Sequence, residues 1–259
     1  MPDRVSATSK RDGVLPPSAA TSGSAWRWRL RGVLPGVVGA VVTAIAVSAL
    51  ALLVQERLAP LAAFDHSVIL AATDVTRAHP GLQSALLAWQ AALQPLNVYV
   101  VATVVCLGVG WRAGLRSRAI WSFVTMMVAW NLALDLKLLV QRVRPLVAHP
   151  VSTAPGYSFP SGHVANAAAA VTALAILLWP LLDRGWQRTL VVGSAAVIVV
   201  VTALDRVYLG VHYPSDTLAG ILVGTGVVVA SFLGYRGWRR HRPARPHSHP
   251  TPTLNQTGE

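Results

Sequence analysis

Six stretches of this chain are almost free of charge and long enough, at 1.5 Å of helical rise per residue, to cross most or all of a bilayer core. They run from Val33 to Val54, Leu93 to Gly110, Ala119 to Val140, Val164 to Leu182, Thr189 to Leu204 and Thr217 to Tyr235. Backbone in hydrocarbon must satisfy its own N–H and C=O groups, and these blocks lack strand alternation, so each is expected to be helical. Composition agrees: 12% of the 259 residues are charged and 53% hydrophobic, whereas a soluble domain carries about 25% charge. The expected fold is all-α, an integral-membrane bundle of six transmembrane helices.

The membrane domain is expected over 32–235, between two basic tails. Residues 1–31 are rich in Ser, Ala, Pro and Arg and end in Trp26-Arg27-Trp28-Arg29-Leu30-Arg31. That is the composition of a flexible segment closing on an interfacial aromatic anchor. Residues 236–259 are basic and Pro-rich, hence expected to be disordered. The first apolar stretch exceeds the roughly 7–15 residues of a signal-peptide core, so it reads as an uncleaved span despite Ala49-Leu50-Ala51. Between the first two spans, Phe64, Val68, Ala71 and Val75 recur at helical spacing among Asp65, His66, Asp74 and Arg77. This pattern predicts an amphipathic connecting helix on the membrane surface.

The net charge of +12 does not point to nucleic acid, because the basic residues lie mainly in tails and short connections, where they set topology. Sixteen of the 22 lysines and arginines fall in the N-terminal tail, the loops after spans two and four, and the C-terminal tail, all on one side of a six-span arrangement. By the positive-inside rule that side, with both termini, is cytoplasmic. Cys106 is the only cysteine, which leaves neither a disulfide framework nor a cysteine metal site.

Three polar clusters gather at the opposite, outer ends of spans three to six. The first is Lys137-Leu-Leu-Val-Gln-Arg142-Val-Arg144-Pro145, the second Pro160-Ser161-Gly162-His163, and the third Asp205-Arg206-Val-Tyr-Leu-Gly-Val-His212-Tyr-Pro-Ser-Asp216. Ionisable groups at a membrane boundary cost free energy unless paired or wetted, so this gathering suggests an anion site. Ser161-Gly162 opens the fourth helix, whose first N–H groups and positive dipole end suit a phosphate approaching a glycine. Lys137, Arg144 and Arg206 can balance its charge. Pro145 is expected to end the third helix, and Arg142 reads as an interfacial anchor. His212 and Asp216 are four apart, so the carboxylate can fold back, fix the imidazole tautomer and leave the other ring nitrogen nucleophilic. His163, at a helix start, can protonate a departing oxygen.

The chain resembles the type-2 phosphatidic acid phosphatase superfamily of membrane lipid phosphatases. The family pattern of Lys, six residues, Arg-Pro, then Pro-Ser-Gly-His, then Ser-Arg, five residues, His, three residues, Asp is matched at Lys137, Arg144, Pro145, Pro160 to His163, Arg206, His212 and Asp216. The resemblance implies His212 as nucleophile, Asp216 as its partner, His163 as general acid, and Lys137, Arg144, Ser161, Gly162 and Arg206 as phosphate-binding groups. It also implies no metal and no other cofactor. The chain departs from the pattern at Asp205, where the family usually has Ser, exchanging a hydroxyl donor for a carboxylate.

These expectations describe a multi-pass cell-membrane enzyme with an outward-facing site that removes a terminal phosphate from an isoprenoid diphosphate, phosphatidate or phosphatidylglycerol phosphate through a phosphohistidine. Its expected partners are that lipid and the bilayer, with no nucleic acid. Two readings stay open beside it: a phosphotransferase passing the phosphoryl group to an alcohol, and a catalytically silent lipid-binding or transport protein. Tyr157, Phe159 and Tyr208 are candidates for the lipid path, with an aromatic belt as the alternative. Asn166 suits helix packing as well as catalysis. His247 and His249 are not expected to hold a metal.

Overall fold

The computed structural model describes residues 22–145 and 151–240, with backbone alone up to residue 30. His247 and His249 of the C-terminal tail and the side chains of Trp26 and Trp28 lie outside the described residues. Eight α-helices follow one another among them: α1 (Ser22–Gln55), α2 (Ala59–Ala78), α3 (Pro80–Ala92), α4 (Pro95–Arg112), α5 (Arg116–Val140), α6 (Gly162–Leu178), α7 (Gly185–Tyr208) and α8 (Pro214–Arg240). Six stretches are long and apolar enough to span a membrane: Arg31–Gln55, Pro95–Arg112, Arg116–Val140, Gly162–Leu181, Gly185–Tyr208 and Pro214–Arg240. Leu107, Ile120, Leu138 and Leu190 point outward from them, as helices solvated by lipid require. The protein is an all-helical, multi-pass membrane protein.

Helix ends depart from expectation in three places. α1 begins at Ser22, inside the stretch expected to be flexible, because no proline precedes Pro35 in it and Ala, Trp, Arg and Leu tolerate helix well. α8 continues through Arg240, past the expected boundary at 235, for the same reason; the next proline is Pro243. α5 stops at Val140, ahead of Pro145. Gln141 takes a left-handed conformation (φ 51°) and its N–H closes on the Lys137 carbonyl at 3.0 Å. Arg142 and Arg144 are thereby released from the helix into a non-helical length of chain that can turn over the site.

α6 is the hub. Val164 to Ala170, Ala173 and Leu177 are buried, and small side chains let neighbouring backbones approach closely. A Cβ on Gly224 of α8 would collide with the Ala165 carbonyl, and one on Gly220 would lie 2.8 Å from the Ser161 carbonyl. Only glycine permits this α6–α8 crossing. It sets the start of α6 beside the start of α8, where the Ser161 N–H donates to the Asp216 carbonyl at 2.9 Å.

The connecting helix α2 turns its apolar positions outward. Phe64 and Val75 are exposed, while Asp65, Ile69, Ala72, Thr73 and Thr76 are buried against the bundle. The face turned inward is the more polar one, because its Thr73 and Thr76 hydroxyls bond the Ile69 and Ala72 carbonyls and Thr76 also donates to the Tyr208 carbonyl at 2.9 Å. The apolar face is left for lipid.

Candidate active site

The three clusters meet at one end of the bundle. Lys137 lies in the last turn of α5, Arg144 in the chain beyond it, Ser161 at the N-cap of α6 with Gly162 and His163 following, Arg206 in the last turn of α7, His212 in the short turn after α7, and Asp216 in the first turn of α8. Gly210 (φ +76°) makes the reversal that carries the chain from α7 to His212.

His212 is almost completely buried, and its two ring nitrogens face opposite charges. Nε2 lies 3.1 Å from Arg144 Nη1, which can only donate, so Nε2 is the acceptor and the proton sits on Nδ1. Nδ1 in turn points at Asp216 Oδ2, 3.6 Å away, just outside a made hydrogen bond and with no other partner. Burial above all pushes the imidazole pKa down to about 4, against the pull of Asp216 and with the help of Arg144 and Lys137. The ring is thereby held neutral at ordinary pH.

Two of the cationic groups, Lys137 and Arg144, are held by backbone carbonyls. Lys137 Nζ donates to the Tyr157 carbonyl at 2.8 Å, and its Cε lies against Gly162, 3.6 Å from where a Cβ would stand. Arg144 donates to the carbonyls of Gly156, Pro155 and Val211 at 2.9, 3.0 and 2.8 Å. Burial first, and then Arg206, lower the Arg144 pKa against the opposing pull of Asp216. Arg206 is wholly buried, and both its Nε (2.8 Å) and Nη2 donate to Asp205 Oδ2. His163 sits within electrostatic reach of Arg206, His212, Lys137 and Arg144.

Among the described residues, four buried side-chain polar atoms have no protein partner: Ser161 Oγ, His163 Nε2, Asp205 Oδ1 and His212 Nδ1. Ser161 occupies an N-cap position yet makes no capping bond, although a serine there ordinarily does. A hydroxyl, an imidazole nitrogen and the N–H groups of an uncapped helix start therefore remain for a ligand with several acceptor oxygens. Among the described residues, no three His, Cys, Asp or Glu side chains gather as a metal-ligand set.

Asp216 has partners that the motifs did not indicate. Its Oδ2 accepts from Ser158 Oγ (2.8 Å) and the Tyr213 N–H (2.9 Å), and its Oδ1 from Arg142 Nη1 (2.6 Å). Arg142 is therefore no interfacial anchor. It also donates to Ser215 Oγ at 2.7 Å and to Asp65 Oδ2 at 2.8 Å, and its guanidinium lies 4.1 Å from the Tyr213 ring centroid. Burial opposes its charge, but Asp216 and then Asp65 outweigh burial and raise its pKa. Of these residues only Arg142 carried a signal, as the first arginine of Arg142-Val-Arg144.

Phe159 does not line an open path: it is fully buried among Ala51, Val54, Val140 and Ala219. Tyr157 and Tyr208 are half-buried, and each is engaged through its carbonyl, with Lys137 and Thr76 respectively. Asn166 is a packing residue, its Oδ1 accepting from Tyr99 Oη at 3.0 Å.

The PAP2 superfamily model matches residues 118–240, just under half of the chain. That segment is similar to the PAP2 superfamily. The chain is similar to phosphatidylglycerophosphatase B of Bacillus subtilis, 33% identical over 49% of this chain and 63% of the relative. It is also similar to decaprenylphosphoryl-5-phosphoribose phosphatase of Mycobacterium tuberculosis, 38% identical over 44% of this chain and 61% of the relative. The matched segments thus span less than two thirds of these relatives. The crystal structure of a transmembrane PAP2-type phosphatidylglycerolphosphate phosphatase from Bacillus subtilis shares the fold, with a TM-score of 0.63 and 24% identity over 73% of this chain and 93% of that one.

Proposed function

We propose that this PAP2 protein is a lipid phosphatase that removes a terminal phosphate from a membrane lipid through a phosphohistidine at His212. The observation that carries the reading is the neutral, buried imidazole with Nδ1 toward Asp216 and Nε2 toward the cationic cluster. In the first step the Nε2 lone pair forms a bond to phosphorus while the bond from phosphorus to the lipid oxygen breaks. The departing oxygen takes a proton from His163, and Asp216 stabilises the charge on the phosphorylated ring. In the second, water attacks phosphorus, gives its proton to His163, and the P–N bond breaks to release phosphate and restore His212. Lys137, Arg144, Arg206, Ser161 Oγ and the α6 N–H groups hold the non-bridging oxygens throughout.

The charge asymmetry of the loops supports a site on the extracytoplasmic face of the cell membrane, with both ends of the membrane domain cytoplasmic. Substrates that fit are lipids with a terminal mono- or diphosphate, including isoprenoid diphosphates and phosphatidylglycerol phosphate. Purified protein in detergent with EDTA should release inorganic phosphate from at least one such lipid and take acid-labile label at His212, and His212→Ala should do neither. Activity that disappears in EDTA and returns with magnesium overturns the reading. So does full activity in His212→Ala.

A further inference from the structure

Asp65 is wholly buried on α2 yet touches the active site at one remove. Its Oδ2 accepts from Arg142 Nη2 at 2.8 Å and from the Ser215 hydroxyl, and its Oδ1 accepts from the Ser215 N–H at 3.0 Å. Ser215 is the second residue of α8, so Asp65 caps that helix from outside by satisfying one of its unpaired N–H groups. Arg142 stands between two carboxylates, reaching Asp65 through Nη2 and Asp216 through Nη1. Ser215 Oγ closes the ring, accepting from Arg142 Nη1 while donating to Asp65.

We propose that Asp65 is a positioning residue of the active site: by anchoring Arg142 and Ser215 it fixes the Asp216 carboxylate against His212 Nδ1. The inference rests on the phosphohistidine reading above for its functional meaning. Two physical arguments carry it. The first is charge. Arg142 alone would cancel Asp216, leaving little negative field to hold the Nδ1 proton or to stabilise the cationic ring formed on attack; with Asp65 present the three groups carry one net negative charge. The second is geometry. Asp216 Oδ1 is taken by Arg142, so the position of the guanidinium sets the plane of the carboxylate, and Oδ2 is left to face the imidazole beside Ser158 and Tyr213.

Joining α2 to the bundle does not require this arrangement. Thr76 already ties α2 to the Tyr208 carbonyl with a neutral bond. A buried ion pair is a costly fastener, since desolvation consumes much of its Coulombic gain. The groups around His212 are Asp216 from α8, Lys137 from α5, Arg144 from the chain after α5, His163 from α6 and Arg206 from α7. Asp65 acts on the ring only through Arg142, Ser215 and Asp216.

Asp65→Asn is near-isosteric, removes the charge and keeps one acceptor oxygen in place of two. Measured per active site by phosphoenzyme titration, its kcat should fall between about tenfold and a hundredfold, as outer-shell losses do, while KM changes less than about threefold. Ser215→Ala, which keeps both charges, should fall less. The losses of Asp65→Asn and Arg142→Gln should not multiply in the double variant, because they act through one carboxylate. The decisive readout needs no turnover. In protein labelled with 15N in the histidine rings and assigned with His212→Ala, wild-type His212 should be the Nδ1–H tautomer, and Asp65→Asn should populate the Nε2–H form. An unchanged tautomer, or a kcat per active site equal to wild type, overturns the proposal. Wild-type protein that releases no phosphate and takes no label would sink the phosphatase reading instead, and the tautomer comparison would still decide what Asp65 does.

Discussion

Arg144 Nη1 donates to His212 Nε2 across 3.1 Å, so one guanidinium covers the lone pair expected to attack phosphorus. A phosphate oxygen entering the site must take that N–H for itself, which couples substrate binding to exposure of the nucleophile. Arg144 also helps to hold the His212 pKa down to about 4, behind burial and against Asp216.

On the phosphohistidine reading only the unprotonated ring attacks, so kcat/KM should rise with pH through the His212 pKa and fall away below it. Arg144→Gln removes a cation from the ring and should move this acid limb to higher pH, besides raising KM through the lost phosphate contact. Ionisation of the substrate is common to both proteins, so the difference between their profiles belongs to the enzyme. An acid limb that stays in place, or moves to lower pH, contradicts the coupling.

At Asp205 the chain leaves the motif pattern it otherwise matches, and the structure gives the carboxylate a partner. Arg206 directs Nε and Nη2 at Asp205 Oδ2, so the carboxylate orients the guanidinium. Asp205→Ser should therefore release a buried arginine from its orienting partner and lower kcat/KM by about tenfold, on the scale of a broken buried pair softened by rearrangement. Asp205→Asn should lose less, since it keeps an acceptor. A several-fold fall in KM for Asp205→Ser would instead mean that the carboxylate repels substrate.

The crossing of α6 and α8 is fixed by Gly224, where an added Cβ would collide with the Ala165 carbonyl and stand 2.9 Å from Ala168 Cβ. Gly224→Ala should destabilise the protein by about 1–3 kcal/mol, as overpacking does, lowering the thermal midpoint in detergent. It should also cost activity, because the same interface holds Ser161 beside Asp216. Gly193→Ala on α7, where nothing lies within 4 Å, is the matched control and should be neutral or slightly stabilising. Equal midpoints for the two variants would remove the close approach from the account.

The apolar blocks make the spans legible, and the motifs make Lys137, Arg144, Ser161, His163, Arg206, His212 and Asp216 legible, because each motif is local in sequence. Pairing between distant segments is not legible in the same way. Asp65 and Arg142 are separated by 77 residues, and nothing in either neighbourhood announces the other. α2 exposes Phe64 and Val75 because hydrophobic periodicity identifies the face that avoids water, and in a bilayer that face turns to lipid. α5 ends before its proline because a left-handed Gln141 is set by the tertiary turn, not by residue preference.

Orientation across the membrane follows from loop charge and can be tested directly. Cys106 is buried and can be replaced by Ala. On that background Thr153→Cys should react with an impermeant thiol reagent from outside intact cells, and Ala113→Cys should not. Both positions are exposed, and Ala113 is a gentler choice than Gly114, whose φ is +68°. Labelling of the cysteine at 113 from outside would invert the topology and with it the side on which the lipid is processed.

His163, in the first turn of α6, has a buried Nε2 with no hydrogen-bond partner among the described residues, as a proton donor awaiting a leaving group would. In a phosphate monoester the departing alkoxide is strongly basic, so a positioned acid should supply a factor on the order of 10²–10⁴. In a diphosphate the leaving group is itself a phosphate, whose negative charge is delocalised, and departure needs little proton transfer. His163→Ala should therefore impair hydrolysis of a lipid monophosphate at least tenfold more than that of a lipid diphosphate, at saturating concentrations of each, by analogy with leaving-group effects in general acid catalysis. His212→Ala should impair both alike, since both need the nucleophile. The comparison holds where chemistry limits both reactions, which single-turnover kinetics establishes first. Equal losses for the two substrates would make His163 a phosphate-positioning group, and the leaving oxygen would then have to draw its proton from water.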